Sequence, residues 1–172
     1  MSGEHVHVEI PASVMLAAYA HAAETYPEEC CGLMLGGPEG IEVDELRRCE
    51  NRQNQMHALD PTTFKRDART AYFFGPEDVK LLDKSLRKGA PRVTRVVYHS
   101  HCDVGAYFSA SDRTAATMDG QPMYDVAYLV IDAVINGVMG GMVYAWNDKR
   151  HDFVPIASFG PQGQRVDVPT YI

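Results

Sequence analysis

His99-Ser100-His101, followed after seven residues by Ser109-Ala110-Ser111-Asp112, is the stretch on which the reading of this chain turns. The run before it, Val93-Thr94-Arg95-Val96-Val97-Tyr98, is β-branched and aromatic, which predicts a strand. Residues i and i+2 of a strand point to one face, so His99 and His101 leave the strand end side by side. Their nitrogens can then meet one ion at roughly 2.0–2.1 Å. The intervening loop is long enough to turn the chain and bring in Asp112 as a third, carboxylate ligand. Three protein ligands leave a fourth position for water, the arrangement of a catalytic rather than a structural zinc. The same residues also admit a structural reading. His-x-His can be a polar strand terminus, and Ser109-x-x-Asp112 fits a helix capping box, although Glu or Gln is its usual fourth member. The two roles are compatible, because a first-turn carboxylate can still project toward a metal.

The full pattern, His-x-His-x7-Ser-x2-Asp, resembles that of the JAMM (MPN-plus) metallopeptidases. That family carries its catalytic glutamate far upstream, in a Glu-x-x-Gly setting on a strand after the first helix. The matching segment is Tyr26-Pro27-Glu28-Glu29-Cys30-Cys31-Gly32-Leu33-Met34-Leu35-Gly36, in which Glu29, rather than Glu28, stands three residues before Gly32. Cys30 to Leu35 is apolar enough for a buried strand. Taken alone, a carboxylate at the head of such a strand reads as a solvated end. Beside the zinc motif it reads as a positioned acid/base.

The order of elements agrees with the resemblance. His5 to Ile10 alternates like a short strand. Pro11-Ala12-Ser13 opens a helical stretch to about Thr25, with Val14, Met15, Ala18 and Ala22 at helical spacing, and Pro27 ends it. A turn at Gly36-Gly37-Pro38-Glu39-Gly40 precedes a strand expected from Ile41 to Arg47. Glu77 to Lys88 reads as a helix with Val79, Leu82 and Leu86 on one face and Gly89 at its end. The zinc strand and a helix after Ser109 follow. Asp125 to Ile131 and Val138 to Trp146 read as strands paired through an Asn136-Gly137 turn. The chain is therefore mixed α/β (α+β). The resemblance, which runs from about Val8 to Pro155, implies the cytidine-deaminase-like JAMM/MPN fold, a curved mixed β-sheet flanked by helices.

Composition bounds the rest. At 172 residues the chain has a natural size for one domain, 1–172, with a sizeable core. Hydrophobic residues make up 45%, yet no run approaches a membrane span. Met1-Ser2-Gly3-Glu4 lacks the basic-then-apolar pattern of a signal peptide, so the expectation is a cytoplasmic protein. A formal net charge of −7 argues against nucleic acid as a partner. Repeats and low-complexity segments are absent from the sequence.

None of the cysteines, Cys30, Cys31, Cys49 and Cys102, makes a Cys-x2-Cys pair, and vicinal Cys30-Cys31 is a poor disulfide frame, so reduced thiols are expected. Cys102 follows His101 where the family often has proline. It reads either as a small residue tolerated in the loop or, more sharply, as a thiolate able to occupy the open zinc position. His5 and His7 share a strand face without a ligand-spaced carboxylate. His21 reads as a surface or boundary residue, His57 and His151 have no motif around them, and Ser100 is expected to serve the backbone or to support the ligands from behind.

The resemblance implies a mechanism. His99, His101 and Asp112 would hold one Zn2+, Glu29 would act as general base and then general acid, and Ser109 would hydrogen-bond the developing oxyanion. It also implies the substrate class: a peptide or isopeptide bond after the C-terminal Gly-Gly of a ubiquitin-like or sulfur-carrier protein, with the tail added to a sheet edge. The short stand-alone form is most similar to the prokaryotic members. A homodimer is compatible with the sequence. Asn51 to Gly75, ending in Tyr72-Phe73-Phe74, is either a substrate flap or an ordinary loop with a hydrophobic anchor.

Two rival classes differ in kind. His99-Ser100-His101-Cys102-Asp103 matches the first half of the metallo-β-lactamase motif, but Val104 replaces its last histidine and only His151 remains downstream. A non-catalytic scaffold of the same fold usually loses ligands, whereas this chain keeps all five motif residues. The zinc deaminases need His-x-Glu and Pro-Cys-x-x-Cys, which do not occur.

Overall fold

The computed structural model describes residues 7–166. The expected strand from His5 lies partly outside them; within them Glu9 makes only a single parallel bridge to Glu42. Helix α1 spans Ala12–Thr25 and buries Val14, Met15, Ala18, Tyr19 and Ala22, the expected apolar spacing plus one tyrosine. It is followed by β1 (Cys31–Gly36) and β2 (Glu45–Cys49), which pair antiparallel with Cys31 opposite Cys49. The second strand begins later than Ile41, because Asp44 N–H first closes onto the Leu35 carbonyl.

The segment expected as a flap or loop contains a helix, α2 (Gln53–Leu59), and leads into α3 (Pro76–Ser85). Pro76 at the first helical turn and Glu77 and Asp78 beside the helix N-terminus favour a start there. The face is corrected: Val79 is 40% exposed, while Asp78, Leu82 and Ser85 are buried. Asp78 replaces Val79 inside because Arg47 donates to its carboxylate at 2.9 Å. The helix also ends before Lys88, at Leu86.

Next come β3 (Val93–Cys102), α4 (Ala110–Ala116), β4 (Thr117–Met118), β5 (Gln121–Pro122), β6 (Ala127–Val134), β7 (Gly137–Asn147), β8 (Asp152–Phe159) and β9 (Arg165–Val166). The β4–β5 hairpin turns at Asp119-Gly120, both at positive φ, as a tight Asp-Gly turn requires. β6 and β7 form the expected hairpin, but its turn is Ile135-Asn136 rather than Asn136-Gly137, because Gly137 already pairs with Val134. The main sheet has the order β2-β1-β3-β6-β7-β8-β9. Every neighbouring pair in it is antiparallel except β3 and β6. That parallel pair needs a crossover, and α4 lies on it.

Alternation along the strands divides the core. Val96 and Tyr98 of β3, with Leu129 and Ile131 of β6, pack under α1. Val97 and Val130 face the other way, with Leu33, Leu82, Phe108, Tyr128 and Phe153. The structure therefore has a mixed sheet with helices on its faces. Among the described residues no helix is long and apolar enough to cross a membrane.

Candidate metal centre

β3 runs through Cys102, so both histidines lie within a central strand rather than beyond its end. His99 is fully buried and His101 nearly so, on the face opposite α1. Their Nε2 atoms are 3.2 Å apart. Across the crossover, Ser109 is the N-cap of α4 and Asp112 its third residue. Their capping box is complete: Asp112 N–H donates to Ser109 Oγ at 3.0 Å, and Ser109 N–H donates to Asp112 Oδ2 at 2.9 Å. The box turns the Asp112 carboxylate back toward the strand, with Oδ1 3.1 Å from His99 Nε2 and Oδ2 3.3 Å from His101 Nε2.

Glu29 enters from the head of β1 and is 3% exposed. Its N–H donates to the Ala68 carbonyl at 2.7 Å, and its own carbonyl accepts from Asn51 Nδ2 at 2.8 Å. Gly32 is required three residues on, because a Cβ there would overlap the Tyr98 ring on the neighbouring strand. All five sequence-predicted site residues are thus brought together.

Two overlapping donor sets meet. Glu29, His99 and His101 offer atoms within 4.8 Å of one another, the one group of three His, Cys, Asp or Glu side chains so placed among the described residues. Asp112 adds a carboxylate beside the two imidazoles, with Oδ1 3.1 Å from His99 Nε2, Oδ2 3.3 Å from His101 Nε2, and the two Nε2 atoms 3.2 Å apart. An ion held tetrahedrally at about 2.0–2.1 Å has donor–donor edges of about 3.3 Å. The individual spacings of the imidazole nitrogens and the carboxylate oxygens are close to that edge, so His99, His101 and Asp112 fit as ligands of one ion, with Glu29 within reach of the same centre.

The His101 tautomer agrees. His101 Nδ1 meets the Gly105 carbonyl at 3.1 Å, which places the proton on Nδ1 and leaves the Nε2 lone pair facing Asp112. His99 Nδ1 is buried without a hydrogen-bond partner among the described residues, and the Tyr72 ring stacks on this imidazole at 4.5 Å. Tyr107 covers His101 edge-on at 4.9 Å. Burial holds His99 below the usual imidazole range against the pull of Asp112. Burial also acts on His101, but Asp112 outweighs it and raises that imidazole. For Asp112 the two histidines outweigh burial and hold the carboxyl well below its ordinary value. Burial pushes Glu29 up to about 8, with His101 opposing and Asp112 adding.

The site opens into a cleft of about 670 Å³. One wall is α4, through Ser109, Ser111, Asp112 and Ala115; the other is residues 63–66 and 69–73. Sequence reasoning missed the device that builds this second wall. Asn51 donates to the carbonyls of Glu29 and Ala71 and accepts from the N–H groups of Gln53 and Phe73, tying the wall to the β1 entry. No local motif marks it. Tyr72-Phe73-Phe74 did mark the wall's anchor: Tyr72 and Phe74 pack onto the core.

The remaining sequence candidates fall elsewhere. Ser100 Oγ accepts from Cys30 N–H at 2.8 Å, a backbone role. His151 packs on Trp146 near the end of β7, and Val104 is exposed, so the binuclear reading finds no further ligands among the described residues. Cys102 lines the cleft, and burial and the neighbouring Glu29 push its thiol up to about 11. All four cysteines are free.

A mixed sheet whose parallel pair carries a His-x-His on the strand and a carboxylate on the crossover helix defines an α+β domain class with a candidate metal site. The chain belongs to the prokaryotic JAB-domain family: the model for prokaryotic homologues of the JAB domain matches residues 11–148. No curated protein matches the chain. Among solved structures it is similar to a protein from Desulfitobacterium hafniense, with a TM-score of 0.58 and 19% identity over 87% of this chain and 90% of that one. It is also similar to a protein from Salinibacter ruber, with a TM-score of 0.55 and 22% identity over 87% and 88% of the two chains. These likenesses concern the fold.

Proposed function

We propose that this chain is a zinc metallopeptidase that hydrolyses a peptide or isopeptide bond after the C-terminal Gly-Gly of a ubiquitin-like or sulfur-carrier protein. One observation carries the reading: His99, His101 and the Asp112 carboxylate meet at spacings of 3.1–3.3 Å, with Glu29 beside them, in a cleft of about 670 Å³. His99, His101 and Asp112 would hold the ion. When bound, zinc supplies a Lewis acid that brings the pKa of its water to near neutrality and polarises a carbonyl.

The chain's own residues do the rest. Glu29 accepts a proton from the attacking water and returns it to the leaving amine. Ser109 Oγ accepts from Asp112 N–H, so its own proton stays free to donate to the developing oxyanion. The capping box fixes that hydroxyl and the Asp112 carboxylate together. Tyr72 and Tyr107 cover the histidines and keep bulk water off their outer edges. Four free cysteines are in keeping with a reducing compartment, and we assign the protein to the cytoplasm on that ground.

The test is metal content by elemental mass spectrometry beside Asp112→Ala, followed by cleavage of Gly-Gly-extended ubiquitin-like substrates. About one zinc per chain, lost in the variant, together with cleavage, supports the proposal. A chain that takes up no zinc when zinc is supplied is a non-catalytic scaffold of this fold.

A further inference from the structure

The two histidines of the metal centre are held by different means. His101 is the ordinary case: its Nδ1 meets the Gly105 carbonyl, so a hydrogen bond within its own loop sets the ring. His99 has no such partner. It is fully buried, and its Nδ1 is the one buried side-chain nitrogen or oxygen left without a hydrogen bond among the described residues. In the sheet register it stands between Cys31 and Val130, both part of the apolar cluster on that face. Nothing polar therefore sets the rotation of an imidazole that must present Nε2 to an ion.

What meets it instead is the Tyr72 ring, stacked on the imidazole with centroids 4.5 Å apart and planes 25° from parallel. Such a stack fixes the plane in which Nε2 lies. It also strengthens when an ion is bound, because the imidazole then takes on positive charge against the electron-rich face of the phenol. Tyr72 is itself pinned on both sides by one side chain: Asn51 donates to the Ala71 carbonyl and accepts from the Phe73 N–H. The same Asn51 amide donates to the Glu29 carbonyl. Phe74 packs edge-on against the Tyr72 ring at 5.6 Å. Tyr72 also lines the cleft, so one residue meets both a ligand histidine and the space open to a substrate.

Resting on the metal site of the reading above, we propose that Tyr72 is a positioning residue: its ring aims His99 at the ion, in place of the hydrogen bond that His99 lacks. The orientation of this ligand is then set by the cleft wall rather than only by the strand that carries the histidine. Asn51 ties that wall to the Glu29 backbone, so the ligand and the acid/base share one support.

The test is zinc and cobalt binding by wild type, Tyr72→Phe, Tyr72→Leu and, as a control from the same wall, Phe73→Leu. Zinc affinity is read by competition with a chromophoric chelator, and ligand geometry by the visible spectrum of the Co2+ form. Tyr72→Phe keeps the ring, so affinity and spectrum should stay close to wild type. Tyr72→Leu should weaken zinc about 10–100-fold and shift the cobalt bands. Phe73→Leu should change neither, since Phe73 packs on Phe64 rather than on a ligand. In wild type the carbon-bound ring protons of His99 should resonate upfield of the free imidazole value, the mark of an aromatic face above them. That reading needs no variant, so the proposal can fail even if Tyr72→Leu does not fold: shifts at the free value overturn it. A Tyr72→Leu protein that loses stability in urea yet keeps wild-type affinity and spectrum also overturns it, because the ring is then packing alone. Loss of zinc in Tyr72→Phe does so too, by giving the work to the hydroxyl. A wild type that binds neither metal overturns the metal-site reading together with this one, whereas metal binding indifferent to Tyr72→Leu overturns this one alone.

Discussion

Ser109 and Asp112 hold each other through two reciprocal hydrogen bonds, and the carboxylate that closes the box also faces both histidine Nε2 atoms. The start of α4 and the metal centre therefore share one side chain. Asp112→Asn keeps an acceptor for the Ser109 N–H but loses the charge, so it should lose zinc and retain most of the metal-free stability. Ser109→Ala should keep zinc and lose about 1 kcal/mol, the usual worth of such a cap. Elemental analysis and urea unfolding of the metal-free proteins separate the two; full zinc content in Asp112→Asn would remove Asp112 from the ligand set.

Glu29 belongs to the looser donor set, which predicts a split between metal and rate. Glu29→Gln should retain zinc and lose about 10²–10⁴ in turnover, as expected for a general acid/base. His101→Ala should lose both. Metal content and kcat measured on the same preparations decide it, and a near-normal rate in Glu29→Gln excludes the assigned role.

Gly32→Ala tests why glycine stands three residues after Glu29. The added methyl meets the Tyr98 ring, which is fully buried between α1 and the sheet and has little room to yield. Overpacking of this kind costs about 1–3 kcal/mol. Denaturant unfolding should show a loss in that range, and a neutral substitution would mean the ring can move.

His21 gives a pH prediction away from the metal centre. Its Nδ1 meets Tyr98 Oη at 2.7 Å. Burial, helped by Arg48 and opposed by Glu24, lowers its pKa from 6.5 to about 4. The unfolded chain therefore binds the extra proton between those values. Its contribution to stability is complete above pH 6.5 and shrinks as pH falls toward about 4. Melting curves should show wild type losing more stability across that window than His21→Gln, and the His21 ring resonances should titrate near pH 4. Titration of those resonances at 6.5 would contradict the burial argument.

Asn51→Ala should loosen the cleft wall formed by residues 63–66 and 69–73. It leaves the Gln53 and Phe73 N–H groups and the Glu29 and Ala71 carbonyls without this partner. Each buried group so stranded costs about 1–3 kcal/mol where water cannot replace the bond. Hydrogen exchange at Phe73 and Gln53 should accelerate severalfold more than at β6 amides. Uniform acceleration would mean that the wall is not a separate unit.

The catalytic-site candidates were legible because strand alternation and a helix cap are short-range properties. His99 and His101 share a face by the period of two, and Ser109 and Asp112 meet by the geometry of a first helical turn. Glu29 was legible only through the family's Glu-x-x-Gly spacing, since nothing local distinguishes it from Glu28. The face of α3 was misread because Asp78 is buried by a distant arginine, Arg47, which no periodicity encodes. α2 and the wall after it escaped for the same reason: Asn51 stabilises them through contacts with Glu29 and Phe73 rather than through propensity. The strands β8 and β9 also went unread, their alternation interrupted by Pro155 and by turn residues around Gly160 and Gly163.

The groups that face one another across the metal centre come from a single short span, His99 to Asp112, whereas Glu29 arrives from the far side of the chain. Closing so short a loop costs little entropy, and its geometry is set by one strand and one cap. During folding, ion capture and docking of the glutamate are therefore separable events. On the proposed function they are separable in descent too: loss of Glu29 leaves the His99, His101 and Asp112 cluster intact, whereas loss of Asp112 breaks it.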